Sequence, residues 1–327
     1  MTDDHPAGPP AGRDAILLSP HALAALLDRS DVLVLDVSVR LEPPAHDGDY
    51  RSASGAADWA RAHVPGSRHV DLRRRFADPA ARHHFARPGR DAVRAELAAL
   101  GAGPDSLVVV YDQGALQWAS RLWWTLRDAG VAALVLDGGL PAWRAAGLPV
   151  ATAPAPGAAA GAHRGGGQPA RPSGEFEAAR AGDRERATLW ADRRDVLALS
   201  EGRAAGTLVC ALGTGQFEGT DPTRYTRRGR IPGSVGLPAH PVLAADGTVR
   251  PTAELASYTA GLPSAPEGPV VVYCGGGISA TLLALALVLT GRDDVRVYDG
   301  SLEEWTADPD LPVLTGPAGR TPPAAAG

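Results

Sequence analysis

The feature that most restricts what this 327-residue chain can fold into is a repeat of its own landmarks. Tyr111-Asp112 is matched by Tyr273-Cys274, Asp137-Gly138 by Asp299-Gly300 and Trp143 by Trp305, each 162 residues apart (273 − 111). Pro65-Gly66 is matched by Pro232-Gly233 at a spacing of 167 (232 − 65). Landmarks in one order at one offset indicate a duplicated domain, because solenoid units are far shorter, roughly 20–50 residues. The length agrees, since single cores stop growing near about 250–300 residues.

Within each copy, strand patterns alternate with helix patterns. Val32–Val37, Leu107–Tyr111 and Ala133–Leu136 are apolar runs of buried strands, and helical stretches cover Arg90–Gly101 and Trp118–Ala129. The alternation resumes with a helix over Asp192–Ser200, a strand over Thr207–Ala211, a helix over Thr252–Ala260 and strands at Val270–Tyr273 and Val295–Tyr298. Glu42 to Arg61 reads as polar and irregular. This order predicts an α/β fold: two mainly parallel sheets flanked by helices, with working loops at the carboxyl ends of the strands. The expected domains are 15–150 and 186–315, joined by an Ala/Pro/Gly-rich linker over 151–185 and flanked by flexible tails at 1–14 and 316–327.

The chemistry concentrates after the strand Val270–Tyr273. There Cys274 is followed by Gly275, Gly276 and Gly277, then Ile278 and Ser279, then a run of helix-forming residues ended by Gly291. Three glycines let the backbone curl around the sulfur with N–H groups inward, beside the positive end of the helix dipole. Such a cradle favours an anion and therefore the thiolate. The plainer reading is an inert buried thiol at a strand end. Ser279 can donate to the sulfur or, by default, cap the helix.

Composition removes several classes. A formal net charge of −5 and no basic stripe give no reason to expect nucleic acid. Two cysteines cannot build a disulfide framework and fit a reducing cytoplasm. The amino end lacks the regions of a signal peptide, and the longest apolar run, Ala280 to Leu289, is too short to cross a bilayer. No His/Cys cluster has ligand spacing, so neither metal nor organic cofactor is implied. A phosphatase of the Cys-x5-Arg kind is disfavoured because the sixth position after Cys274 is Ala280.

Taken together, the HVPGS and RIPGS turns, the ASRLWW segment, DGGLPAW, DGSLEEW and the loop CGGGISA resemble the tandem members of the rhodanese (sulfurtransferase) family. The resemblance spans about residues 16 to 315 and implies two rhodanese-like domains, the second catalytic. By it, Asp112 marks the first domain as having lost its nucleophile, and Cys274 carries sulfur as a persulfide. The implied reaction moves sulfane sulfur from a small anionic donor, thiosulfate or 3-mercaptopyruvate, to cyanide or a thiol, by double displacement. The alternative is a non-catalytic sulfur-carrier or binding module serving a biosynthetic partner. The loop resembles the mercaptopyruvate-type form, although Gly276 stands where many such enzymes have serine.

The same resemblance implies that Arg121 reaches across the domain interface to the donor's anion, where a guanidinium binds in a bidentate way. It matches His63 to a histidine with a proton-handling role; the plainer reading is a turn residue bonded to nearby backbone. Arg230, with Arg227 and Arg228, forms a basic cluster able to attract an anionic donor, or a solvated surface run. Cys210 ends the strand expected beside that of Cys274. It is either a second thiol able to resolve the persulfide or a small apolar filler.

Overall fold

The computed structural model describes residues 12–153, 188–262 and 268–317. The expected linker and both expected tails lie largely outside them.

The first half carries the strands β1 (Leu17–Leu18), β2 (Val32–Asp36), β3 (Val39–Leu41), β4 (Ser52–Ser54), β5 (Arg68–His69), β6 (Leu107–Tyr111) and β7 (Ala133–Leu136). Its helices are α1 (Pro20–Ala24), α2 (Ala56–Arg61), α3 (Leu72–Arg75), α4 (Arg90–Ala99), α5 (Gln117–Asp128) and α6 (Gly139–Ala145). The second half adds β8 (Trp190–Ala191), β9 (Thr207–Cys210), β10 (Val235–Gly236), β11 (Val270–Tyr273) and β12 (Val295–Tyr298). Around these lie α7 (Arg193–Ser200), α8 (Thr214–Glu218), α9 (Thr252–Thr259), α10 (Ser279–Leu289) and α11 (Ser301–Ala307).

The duplication is visible in the topology. One parallel sheet runs β1-β7-β6-β2-β5 and the other β8-β12-β11-β9-β10, so each copy uses its strands in the same spatial order. The central strands, LVVVY and VVVY, are β-branched and almost wholly buried, as strands covered on both faces must be. Side-chain contacts repeat as well. Tyr111 accepts the Val64 N–H and meets the Ser67 hydroxyl at 2.8 Å, while Tyr273 accepts the Ile231 N–H and meets Ser234 at 2.6 Å. The indoles of Trp143 and Trp305 donate to Pro149 and Pro312 in the same way. The segment read as irregular holds β4, paired antiparallel with β3 just before it, and α2, elements too short for periodicity to reveal.

The halves join through α5 and α10, which pack against each other. Every residue of α10 after Ser279 is buried, and an all-round apolar helix needs cover on all sides. One core cluster runs from Val108, Leu122 and Trp124 of the first copy to Val272, Leu282 and Leu285 of the second. Trp123 and Trp124 are both buried in this core. Among the described residues no helix is long and apolar enough to cross a membrane.

Candidate active site

Both helices of the interface begin at the carboxyl ends of the central strands, so the two strand–helix loops lie beside the junction of the domains. In the first copy the loop is built around Asp112. Its Oδ1 accepts the N–H groups of Gly114 at 2.9 Å and Leu116 at 3.1 Å, and its Oδ2 those of Trp118 at 3.0 Å and Ala119 at 3.2 Å. Burial pushes the Asp112 carboxyl up, against the pull of these four donors. They fill the lone-pair positions of both oxygens, and a proton there would displace one of them. The loop is an anion cradle closed by its own side chain.

In the second copy Cys274 takes that position and is 2% exposed. The N–H groups of Gly276, Ile278 and Ala280, counterparts of three Asp112 donors at the same offset, make no hydrogen bond to any described residue. The same strand, loop and helix start are therefore repeated with a sulfur in place of the carboxylate, and these three N–H groups are left without a partner among the described residues. The loop turns at Gly277 (φ +71°), where a Cβ would lie 2.5 Å from the Asp299 carbonyl oxygen, so only glycine fits. Ile278 caps α10, and Ser279 is the first helical residue; the expected capping role of Ser279 does not hold, because the chain enters the helix one residue earlier. Below the loop, the Cys274 N–H donates to Ser301 Oγ at 3.1 Å, and that hydroxyl donates to the Tyr298 carbonyl. Ser301 holds φ +47°, where the first copy has Gly139 at +57°. A left-handed residue with a side chain costs about 1–2 kcal/mol, which two buried hydrogen bonds offset.

The surrounding walls come from both domains. Gly275 approaches the Tyr225 ring and Gly276 the Glu303 carboxylate. The Glu303 N–H donates to the Gly275 carbonyl at 2.8 Å. Glu303 Oε1 accepts the His84 backbone N–H at 3.0 Å and meets the ring Nδ1 at 2.6 Å. The His84 ring stacks on Tyr50 with centroids 3.8 Å apart. Burial pushes the phenols of Tyr50 and Tyr225 far up, and a negative Cys274 pushes the same way, so both stay neutral.

The implied site residues fall in different places. Arg121 is buried in the interface and crosses it: its Nη1 donates to the Gly277 carbonyl at 3.1 Å, and its Nη2 to Asp299 Oδ1 and to the Phe85 carbonyl, both at 2.5 Å. Its guanidinium also lies 4.5 Å over the Trp190 ring. Where the resemblance implies a donor anion, the structure places the Asp299 carboxylate. Asp299 in turn accepts the Arg87 N–H at 2.8 Å and faces His83 at 3.4 Å. Burial alone would raise Asp299, but Arg121, His83 and the Arg87 N–H together hold it well below the usual carboxylate range.

His63 and Arg230 occupy equivalent turns, bridged to Ala151 and Leu314 respectively. The His63 Nδ1 lies 2.8 Å from the Trp59 carbonyl, with its ring stacked on that indole. Arg230 donates to the Gly316 carbonyl at 2.7 Å, with its guanidinium over Phe217. Both are bonded to backbone, and neither makes a hydrogen bond to the Cys274 loop among the described residues. Nor is the arginine cluster a solvated run: Arg227 donates to four carbonyls around α11 and Arg228 pairs with Asp47. Cys210 lies level with Tyr273 in the β9–β11 ladder. It packs with Phe217, Tyr225 and Tyr273, whereas Cys274, one residue on, belongs to the core cluster on the other face. Burial pushes the Cys210 thiol up to about 12.

Sequence reasoning assigned no role to Tyr50, His83, His84 or Glu303. Asp299 and Glu303 sit in the DGSLEEW motif, but nothing local marks His83-His84, which meet the loop only through tertiary packing. Among the described residues no three His, Cys, Asp or Glu side chains gather as a metal site requires.

Fold and site together define a class: a duplicated α/β chain with one acidic loop, one thiol loop and a shared interface. The chain belongs to the rhodanese family; the family model described as Rhodanese-like domain matches residues 19–146 and 216–308. It is similar to the putative thiosulfate sulfurtransferase SseB of Mycobacterium tuberculosis, with 32% identity over 94% of this chain and 99% of the relative. It is also similar to the probable 3-mercaptopyruvate sulfurtransferase of Pseudomonas aeruginosa, with 34% identity over 92% of this chain and 99% of the relative. Among solved structures, the 3-mercaptopyruvate sulfotransferase SseA from Escherichia coli matches with a TM-score of 0.66 at 25% identity, covering 87% of this chain and 98% of that one.

Proposed function

We propose that this protein is a sulfurtransferase that moves sulfane sulfur from thiosulfate or 3-mercaptopyruvate to cyanide or a thiol through a persulfide on Cys274. The observation that carries the reading is the paired loops: the first copy binds a buried anion with four N–H groups, and the second presents the same strand–loop–helix with a sulfur. In the first half-reaction the Cys274 thiolate attacks the donor's outer sulfur, and that sulfur's bond to the rest of the donor breaks. In the second, the acceptor attacks the outer persulfide sulfur and Cys274 leaves as thiolate. Backbone N–H groups stabilise thiolate and persulfide anions alike, with no reorganisation between the two steps.

The first domain, with Asp112, serves as a non-catalytic partner that supplies walls and the Arg121 bridge. Arg121 acts as a positioning residue: it fixes Gly277 and Asp299. Arg224 is the cation available to an anionic donor; its charge reaches both Tyr50 and Tyr225, and its Nε donates to the Glu42 carbonyl. Two free cysteines in a chain of this size support a reducing, cytoplasmic setting.

The test is turnover with each donor and cyanide, together with intact-protein mass before and after donor. Wild type gains one sulfur from a donor and loses it to cyanide; Cys274→Ser gains none and turns over nothing. Turnover by the serine protein overturns the assignment.

A further inference from the structure

Glu303 is a carboxylate at the thiol loop that Arg121 does not engage, and half of it is unaccounted for. Its Oε1 is held by the His84 N–H and ring, whereas Oε2 is buried and has no hydrogen-bond partner among the described residues. An unpartnered buried carboxylate oxygen is costly, on the order of 1–3 kcal/mol or more. Its position suggests a reason to keep it: a Cβ built on Gly276 would lie 3.3 Å from Oε2. The glycine two residues after Cys274 thus leaves room for a carboxylate, and the Glu303 N–H to Gly275 carbonyl bond fixes α11 against the loop.

We propose that Glu303, oriented by His84, selects the sulfur donor: it favours one that carries its sulfur as S–H on carbon and disfavours the thiosulfate dianion. This rests on the persulfide reading above. The two donors differ in proton demand. With thiosulfate, the Cys274 thiolate forms the S–S bond, the donor's S–S bond breaks, and sulfite leaves with the electron pair; no proton moves. With 3-mercaptopyruvate, the S–S bond forms as the C–S bond breaks, and the electron pair goes to carbon as the enolate of pyruvate. The two sulfurs of the new bond are each oxidised by one electron and the donor carbon takes up both. The S–H proton must reach that carbon to give pyruvate and leave the persulfide anionic. A carboxylate with one free oxygen beside the loop can take the proton from sulfur and return it to carbon. The same negative charge raises the cost of bringing a dianion into a poorly screened site.

The test compares kcat/KM for the two donors, cyanide as acceptor, in wild type, Glu303→Gln and His84→Ala, with thermal melts as a folding control. The ratio of 3-mercaptopyruvate to thiosulfate kcat/KM should fall at least tenfold in Glu303→Gln, with the mercaptopyruvate loss in kcat and the thiosulfate value unchanged or higher. His84→Ala, which removes the ring's hold on Oε1 and leaves only the backbone N–H, should move the ratio the same way by a smaller factor, and it decides the matter if the glutamine variant does not fold. A ratio that stays within twofold of wild type, or both donors falling together, overturns the proposal, because a merely structural residue would affect both alike. If wild type gains no sulfur from either donor, the persulfide reading fails instead.

Discussion

Cys274 works through what its neighbours lack. Gly277 carries the one left-handed φ in the loop and faces the Asp299 carbonyl, so Gly277→Ala should cost at least about 2 kcal/mol and most of the turnover. Gly275→Ala, whose new methyl would meet only the edge of Tyr225 at 3.3 Å, should be far milder; equal melting temperatures for the two variants would contradict this geometry. The other thiol sits differently. Because the pleat puts Cys210 and Cys274 on opposite faces of the sheet, oxidation followed by peptide mapping should yield no 210–274 crosslink, and Cys210→Ala should retain sulfur transfer. A crosslinked peptide would revive a resolving role.

At the scale of elements, the thiol loop is held by a charge network strung between α5, the segment before α4 and the end of β12. Arg121 and Asp299 are both nearly buried, so Arg121→Ala leaves a carboxylate without its cation and should destabilise by about 3–5 kcal/mol. Arg121→Lys should rescue little, since one ammonium cannot reach Asp299, Gly277 and Phe85 with the same fork. The network also has a pH signature. Asp299 titrates below its ordinary value, so its stabilisation is present above about pH 4 and is lost as pH falls through the folded value. Burial would lower His83, yet Asp299 raises it overall; its stabilisation is complete below about pH 6.5 and is lost as pH rises through the folded value. The pair therefore contributes most between roughly pH 4 and 6.5. Melting temperature against pH should lose its decline above about pH 6.5 in His83→Gln; an unchanged decline would remove His83 from the account.

For the whole molecule, the two halves share one apolar core. The α10 face that meets α5 is continuous Leu, Ala and Val, and the thiol loop borrows Tyr50, His84 and Arg121 from the first domain. Residues 188–317 produced alone should aggregate or stay molten and transfer no sulfur, as sedimentation and turnover would report. A monomeric, active second half would show that the duplication is dispensable. The first copy, with its cradle filled by Asp112, keeps the architecture of a site without its chemistry and supplies half the walls of the other.

Much of this is written in local sequence. Strand identity follows from β-branched runs, the duplication from landmarks at one offset, and the thiol loop from a cysteine at a strand end followed by three glycines. These features act within a few residues of chain, where backbone conformation and burial period leave direct marks. The partners of the loop are another matter. His63, Arg121 and Arg230 have plausible motifs, yet their hydrogen bonds go to backbone carbonyls and to Asp299, and the unmarked His84 and Glu303 meet over the glycines. Side chains more than two hundred residues apart are brought together only when two copies of one fold bury their central helices against each other, and no short-range pattern encodes that packing.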